Sequence, residues 1–306
     1  MRRLSRFPLP LCAAWPSLAW AHAEDGSGHW WTLDPWVWLP MLLVSIAWLR
    51  GVILLRRRAH LLDACRPLAL ASFAAGMGFV FLALIWPLDA LGSASFAAHM
   101  AQHMVLIALA APLLVLANPG APLMLGLPLA WRRPVTAMRA RISRMLRPLL
   151  VPGAAFGVHG AFIWLWHAPL LYEAALRSEW VHILEHCSFF GSGLLFWSAL
   201  ARLGRAGGQD YGAAALWSLA TLVHTGMLGA LLTFAPRLAY VSYVDAGHAW
   251  LTPLEDQQLA GLIMWIPAGF CYLTVGLGFV AAWLRQAASD PPKKQFDTTV
   301  TSVKPN

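Results

Sequence analysis

Apolar residues in this 306-residue chain run in long, nearly unbroken blocks, without the polar face a surface helix would show. The blocks near 36–55, 67–88, 95–117, 148–171, 181–201, 212–235 and 258–284 are each long enough to span a membrane. A helix rising about 1.5 Å per residue crosses about 30 Å of hydrocarbon in this length. The pattern predicts an all-α integral membrane protein, a bundle of seven transmembrane helices.

Positive charge tests that count, because cytoplasmic loops collect Lys and Arg. Residues 50–66 hold five arginines and residues 132–147 hold six; Arg202 and Arg205 follow, and Arg285, Lys293, Lys294 and Lys304 mark the tail. The intervening segments are bare from 24 to 35 and from 87 to 96, and then carry only Arg177 and Arg237. The alternation places the N-terminus outside and the C-terminus in the cytoplasm. Trp30, Trp31, Trp36, Trp38, Trp86, Trp166, Trp180 and Trp250 fall near the outer span ends, as an aromatic belt would.

Arg2, Arg3 and Arg6, an apolar stretch and Ala21-His22-Ala23 have the layout of a cleaved secretory signal over residues 1–23. Residues 24–288 then form the transmembrane domain and 289–306 a disordered cytoplasmic tail. The expected location is a bacterial cytoplasmic (inner) membrane, crossed several times.

Composition agrees. The chain is 59% hydrophobic and 12% charged, against roughly a quarter charged in soluble domains. The net charge of +8 sits in short arginine clusters without interleaved stacking aromatics, so it indicates a lipid bilayer as partner and no nucleic acid. Cys12, Cys65, Cys187 and Cys271 form no CxxC pair, and no disulfide framework is indicated.

Seven histidines lie in or near the spans: His99, His103, His159, His167, His182, His186 and His224. Ionisable groups in hydrocarbon are costly and normally face a functional interior. His99/His103 and His182/His186 are i,i+4 pairs, so each pair shares one helix face. By the span boundaries they lie roughly 5 to 13 Å below the outer surface, with His167 near the outer end of its own span. Imidazole suits copper, zinc, iron and nickel, and thioether sulfur shifts preference to reduced copper. Met100 and Met104 adjoin the first pair and Met227 lies three residues from His224, so the spacing allows a mixed His/Met site. His159, His224 and Asp256 are further candidate ligands, and Glu185 and Asp256 are placed to orient imidazoles. His29, His248 and His60 read as solvent-facing.

A b-type haem held between paired histidines is the alternative, as is a metal transporter. The string His182 to His186 has the H-x-x-E-H spacing of an inverted zinc peptidase, yet no further ligand or water-filled cleft is evident. The chain reads as a non-enzyme.

Three stretches carry a family resemblance: HMAQHMVLIALAAPLLVLANP from His99, WHAPLLYEAALRSEWVHILEHCSFFGSGLLFW from Trp166, and PLEDQQLAGLIMWIPAG from Pro253. They resemble the membrane-bound CtaG-like assembly factors of caa-type cytochrome c oxidases, over about residues 36–283. The resemblance implies a protein that helps build a haem-copper oxidase, with the oxidase subunits as partners and copper delivery to the catalytic subunit as the role. It carries over His99, His103, His167, His182, His186, Asp256 and Gln257.

Overall fold

The computed structural model describes residues 31–32, 34–58, 66–205, 210–240, 242 and 251–289. The expected signal segment, the tail beyond 289, and His29, His60, His248, Trp30, Trp250, Cys12 and Cys65 lie outside the described residues. Among the described residues the regular structure is helical throughout. In chain order come α1 (Pro35–Arg58), α2 (Pro67–Leu84), α3 (Leu88–Gly92), α4 (Phe96–Met104), α5 (Ala111–Ala117), α6 (Gly120–Gly126) and α7 (Leu129–Leu146). Then follow α8 (Pro152–Trp166), α9 (Pro169–Arg177), α10 (Glu179–Arg205), α11 (Tyr211–Thr233) and α12 (Pro253–Ser289).

Among the described residues, six segments are long and apolar enough to cross a membrane: Pro35–Arg57, Pro67–Gly92, Phe96–Ala117, Glu179–Gly204, Tyr211–Thr233 and Pro253–Ser289. The seventh expected span is a bent pair, α8 and α9, meeting at 73°. The cause is local. Ala168 precedes Pro169 and is extended, as residues before proline prefer, so the helix stops at Trp166 and restarts in a new direction.

The third span carries a second irregularity. Between α4 and α5, residues Val105–Ala110 form a π turn. Pro112, at the start of α5, has no amide to donate and its ring crowds the carbonyl four residues back, which forces the ladder to shift register. Trp197 of α10 donates its indole N–H to the Ile107 carbonyl inside this turn at 2.8 Å, tying α10 to the third span.

The largest core cluster joins α4, α8, α9, α10, α11 and α12 through Phe96, Met100, Ile163, Tyr172, Phe189, Phe196, Trp197, Leu228, Met264 and Tyr272. α11 and α12 cross where Gly229 and Gly261 let the backbones meet. A Cβ at Gly261 would stand 2.5 Å from the Gly229 carbonyl oxygen. This is the small-residue contact membrane helices use to approach closely.

α7 is different, with no buried residue. Trp131, Val135, Met138, Ile142 and Met145 recur every three to four residues along one face, with arginines at 132, 133, 139, 141 and 144. Such a basic amphipathic helix is suited to lie along a membrane surface.

Candidate metal centre

The register of α4 and α10 brings the paired histidines together. His99 is three residues into α4 and His182 three into α10; His103 and His186 are each seven in. The four imidazoles interdigitate. Ring centroids stand 4.5 Å apart for His99–His103, 5.3 Å for His99–His182, 5.0 Å for His103–His186 and 4.2 Å for His182–His186.

Asp256, in the first turn of α12, fixes the start of α4. Its carboxylate accepts from Phe96 N at 2.7 Å, Ala97 N at 3.3 Å and Ser95 Oγ at 2.8 Å, while Ser95 Oγ accepts from Ala98 N. A carboxylate there satisfies amides that lack intrahelical partners and faces the positive end of the helix dipole. Asp256 therefore holds the start of α4, and the donor sets with metal-binding spacing are formed by other residues. Its neighbour Gln257 accepts from Ala239 N and donates to the Arg237 carbonyl, which ties down the segment after α11.

His167 ends α8. Its Nδ1 donates to the Ile163 carbonyl at 2.6 Å, capping a carbonyl at the helix end. A neutral imidazole that donates through Nδ1 presents a lone pair at Nε2. That Nε2 lies 3.3 Å from Met100 Sδ, which has no proton to give. Two lone pairs thus face one another, a pairing that a soft cation satisfies. Phe189 packs against both His167 and His103, with ring centroids 6.0 and 4.7 Å away, so this His/Met pair adjoins the four-histidine cluster.

The cluster is sealed from above. Tyr172 of α9 packs edge-on against His99, with Phe96 and Tyr240 around it. Tyr240 donates to the His167 carbonyl at 2.9 Å, and Glu173 accepts from Ser242 N at 3.1 Å and from the Ser242 hydroxyl. Phe189 closes the floor beneath His103. His99 and His103 are 2% and 0% exposed, whereas the edges of His182 and His186 are partly exposed on α10.

Inside this enclosure, His99 Nε2, both nitrogens of His103, His186 Nε2 and both Glu185 oxygens have no hydrogen-bonding partner among the described residues. Each such group costs about 1–3 kcal/mol. Three imidazoles and a carboxyl group together offset a large part of the roughly 5–15 kcal/mol that stabilises a domain, and a cation that engages them removes the cost. Among the described residues, two sets of donors have the spacing to hold one: His99, His103 and His186, and separately His99, His182 and Glu185, each set within 4.8 Å. Ligands around a tetrahedral ion stand about 3.3 Å apart when each bond is about 2.0 Å, so modest side-chain rotation closes either set. Glu185, expected to orient an imidazole, makes no hydrogen bond to one; its Oε2 is 3.9 Å from His99 Nε2.

Other sequence candidates lie elsewhere. His159 is fully buried and satisfied, with Nδ1 3.0 Å from Ser192 Oγ and Nε2 3.3 Å from Tyr272 Oη. His224 packs against Phe156 and beside Gly160, while Met227 is 53% exposed. Met104 packs against the core as a partly buried side chain. Tyr172, Tyr240 and the Glu173–Ser242 clasp were not singled out by sequence. The one signal was an acidic residue, Glu173, within the apolar WHAPLLYEAALR stretch.

Fold and site together define a multi-span helical membrane protein with convergent imidazoles buried near one end of the bundle. The chain belongs to the cytochrome c oxidase caa3 assembly factor family (Caa3_CtaG), whose model matches residues 46–286. Uncharacterized proteins of Mycobacterium bovis and Mycobacterium tuberculosis are each 26% identical over 264 residues, covering 84% of this chain and 40% of their own length. One from Mycobacterium leprae is 22% identical over 270 residues with the same coverage. The chain thus spans less than half the length of the curated relatives it matches. No solved structure matches it.

Proposed function

We propose that this protein serves oxidase assembly by holding copper at the α4/α10 histidine cluster and passing it to the catalytic subunit of a haem-copper oxidase. The observation that carries this reading is the convergence of His99, His103, His182 and His186 with several buried imidazole nitrogens unpartnered. Family membership supplies the assembly context. Met100 beside His167 supplies the preference for reduced copper.

The cluster favours an ion over haem. The rings pack on one another at 4.2–6.0 Å between centroids, an arrangement without a slot for a macrocycle. It favours a donor over a transporter because His159, further along the bundle, is engaged by Ser192 and Tyr272. The arginine alternation supports an orientation with the N-terminus and the cluster on the extracytoplasmic side. The partly exposed edges of His182 and His186 offer a lateral route to a neighbouring membrane subunit. The role is delivery, without catalytic turnover.

The test is complementation of a deletion strain, reading copper per haem in the purified oxidase. Wild type restores the full ratio. A variant with His99, His103, His182 and His186 all changed to alanine is expected to yield copper-depleted oxidase. Full copper loading by that variant would overturn the proposal.

A further inference from the structure

The two donor sets share one residue, His99. Its imidazole hydrogen-bonds the backbone of Gly92, whose α-carbon packs so closely on α4 that an added Cβ would meet His99 Cα at 3.3 Å. Only Nε2 then remains to bind an ion, and a single nitrogen lone pair serves one cation at a time. The sets also differ in chemistry. His99, His103 and His186 offer three neutral nitrogens and lie beside the Met100–His167 pair. His99, His182 and Glu185 include a carboxylate, and lie nearer the N-terminal ends of α4 and α10.

We propose that the centre is a single-ion site with two alternative positions pivoting on His99: an outer one completed by Glu185 that holds divalent copper, and an inner all-imidazole one that holds monovalent copper. The inference rests on the copper reading above and adds to it the division of labour between the positions. Charge makes the division. Glu185 is 1% exposed with neither oxygen hydrogen-bonded, so its anion is stabilised there chiefly by a cation, the more so by a divalent one. Neutral imidazoles with a thioether nearby suit the softer, monovalent ion.

The experiment uses the full-length protein in detergent, loaded in separate samples with Cu(I) under reducing conditions and with Cu(II). Cu(I) affinity is read by competition with a chromogenic chelator, and Cu(II) by dialysis and electron paramagnetic resonance. Wild type is expected to bind one copper per chain in either state. Glu185→Gln is expected to weaken Cu(II) by about tenfold or more, since even outer-sphere changes at metal sites cost 10–100-fold, while leaving Cu(I) within about twofold. His103→Leu is expected to do the reverse, and His99→Ala to weaken both. His182→Asn, a second probe of the outer position, follows Glu185→Gln, and unchanged gel-filtration profiles confirm folded protein. Two coppers per chain, or equal effects of Glu185→Gln and His103→Leu on both states, would overturn the two-position centre while leaving copper binding intact. A wild-type protein that binds neither state would overturn the copper reading itself.

Discussion

At the scale of single residues, the buried histidines divide by what their nitrogens touch. His159 sits between Ser192 and Tyr272 and stacks on Phe196. Since Ser192 Oγ already donates to the Phe189 carbonyl, a consistent assignment has His159 donating through Nδ1 and accepting from Tyr272. Its removal takes the acceptor from the buried Tyr272 hydroxyl and leaves a cavity, so His159→Ala is expected to destabilise the protein by about 2–4 kcal/mol. Metal content of the folded fraction stays unchanged. His103 is the opposite case: neither nitrogen has a protein partner, and a leucine of similar volume removes polar atoms that nothing satisfies. His103→Leu is expected to be neutral or stabilising in metal-free protein, with thermal denaturation as the measurement. A large loss of stability would show a structural role for that imidazole. Sequence spacing revealed both i,i+4 pairs, because a helix makes four residues one face. It did not separate His159 from the ligand set, since its partners lie 33 and 113 residues away.

At the scale of elements, Asp256 is the case where chemistry was visible but its use was not. A carboxylate in PLEDQQ reads equally well as ligand, orienting group or cap; only its distance to α4 amides 160 residues earlier decides. Asp256→Ala is expected to lower stability by about 1–3 kcal/mol, the cost of leaving buried charged hydrogen bonds unmade, and to weaken metal binding by loosening α4. The crossing of α11 and α12 gives a sharper prediction. Gly261→Leu would drive a side chain into the Gly229 carbonyl, and a loss of about 1–3 kcal/mol or more is expected from overpacking. For α7, spin labels at positions 138 and 142 are expected to report lipid and labels at 133 and 141 water. Uniform exposure of all four to water would contradict a surface-lying helix. Hydropathy does not show the bend at His167, although Pro169 marks the place: an apolar run reports what lipid tolerates, and this one continues to residue 171.

At the scale of the whole molecule, the apolar blocks anticipate the six long apolar helices and, as a seventh block, the bent α8–α9 pair, because hydrocarbon thickness sets a length that hydropathy reports directly. Helix order around the bundle was not legible, since every span is apolar on most sides and small residues and polar contacts choose the neighbours. The equal register of His99/His103 and His182/His186 nonetheless foreshadowed their meeting, as two parallel spans starting from one side place equal offsets at equal depth. The proposed orientation rests on the arginine distribution, and alkaline phosphatase fused after Arg237 is expected to be active while a fusion after Arg147 is not; the reverse pattern would invert the proposed topology.

The central claim is tested most directly by elemental analysis and an optical spectrum of the protein purified in detergent, wild type beside the His99/His103/His182/His186 quadruple alanine variant. Copper at about one per chain in wild type, absent from a folded variant and without a Soret band, is the expected result. Wild-type protein free of copper after reconstitution, or carrying a Soret band that the variant loses, would contradict it.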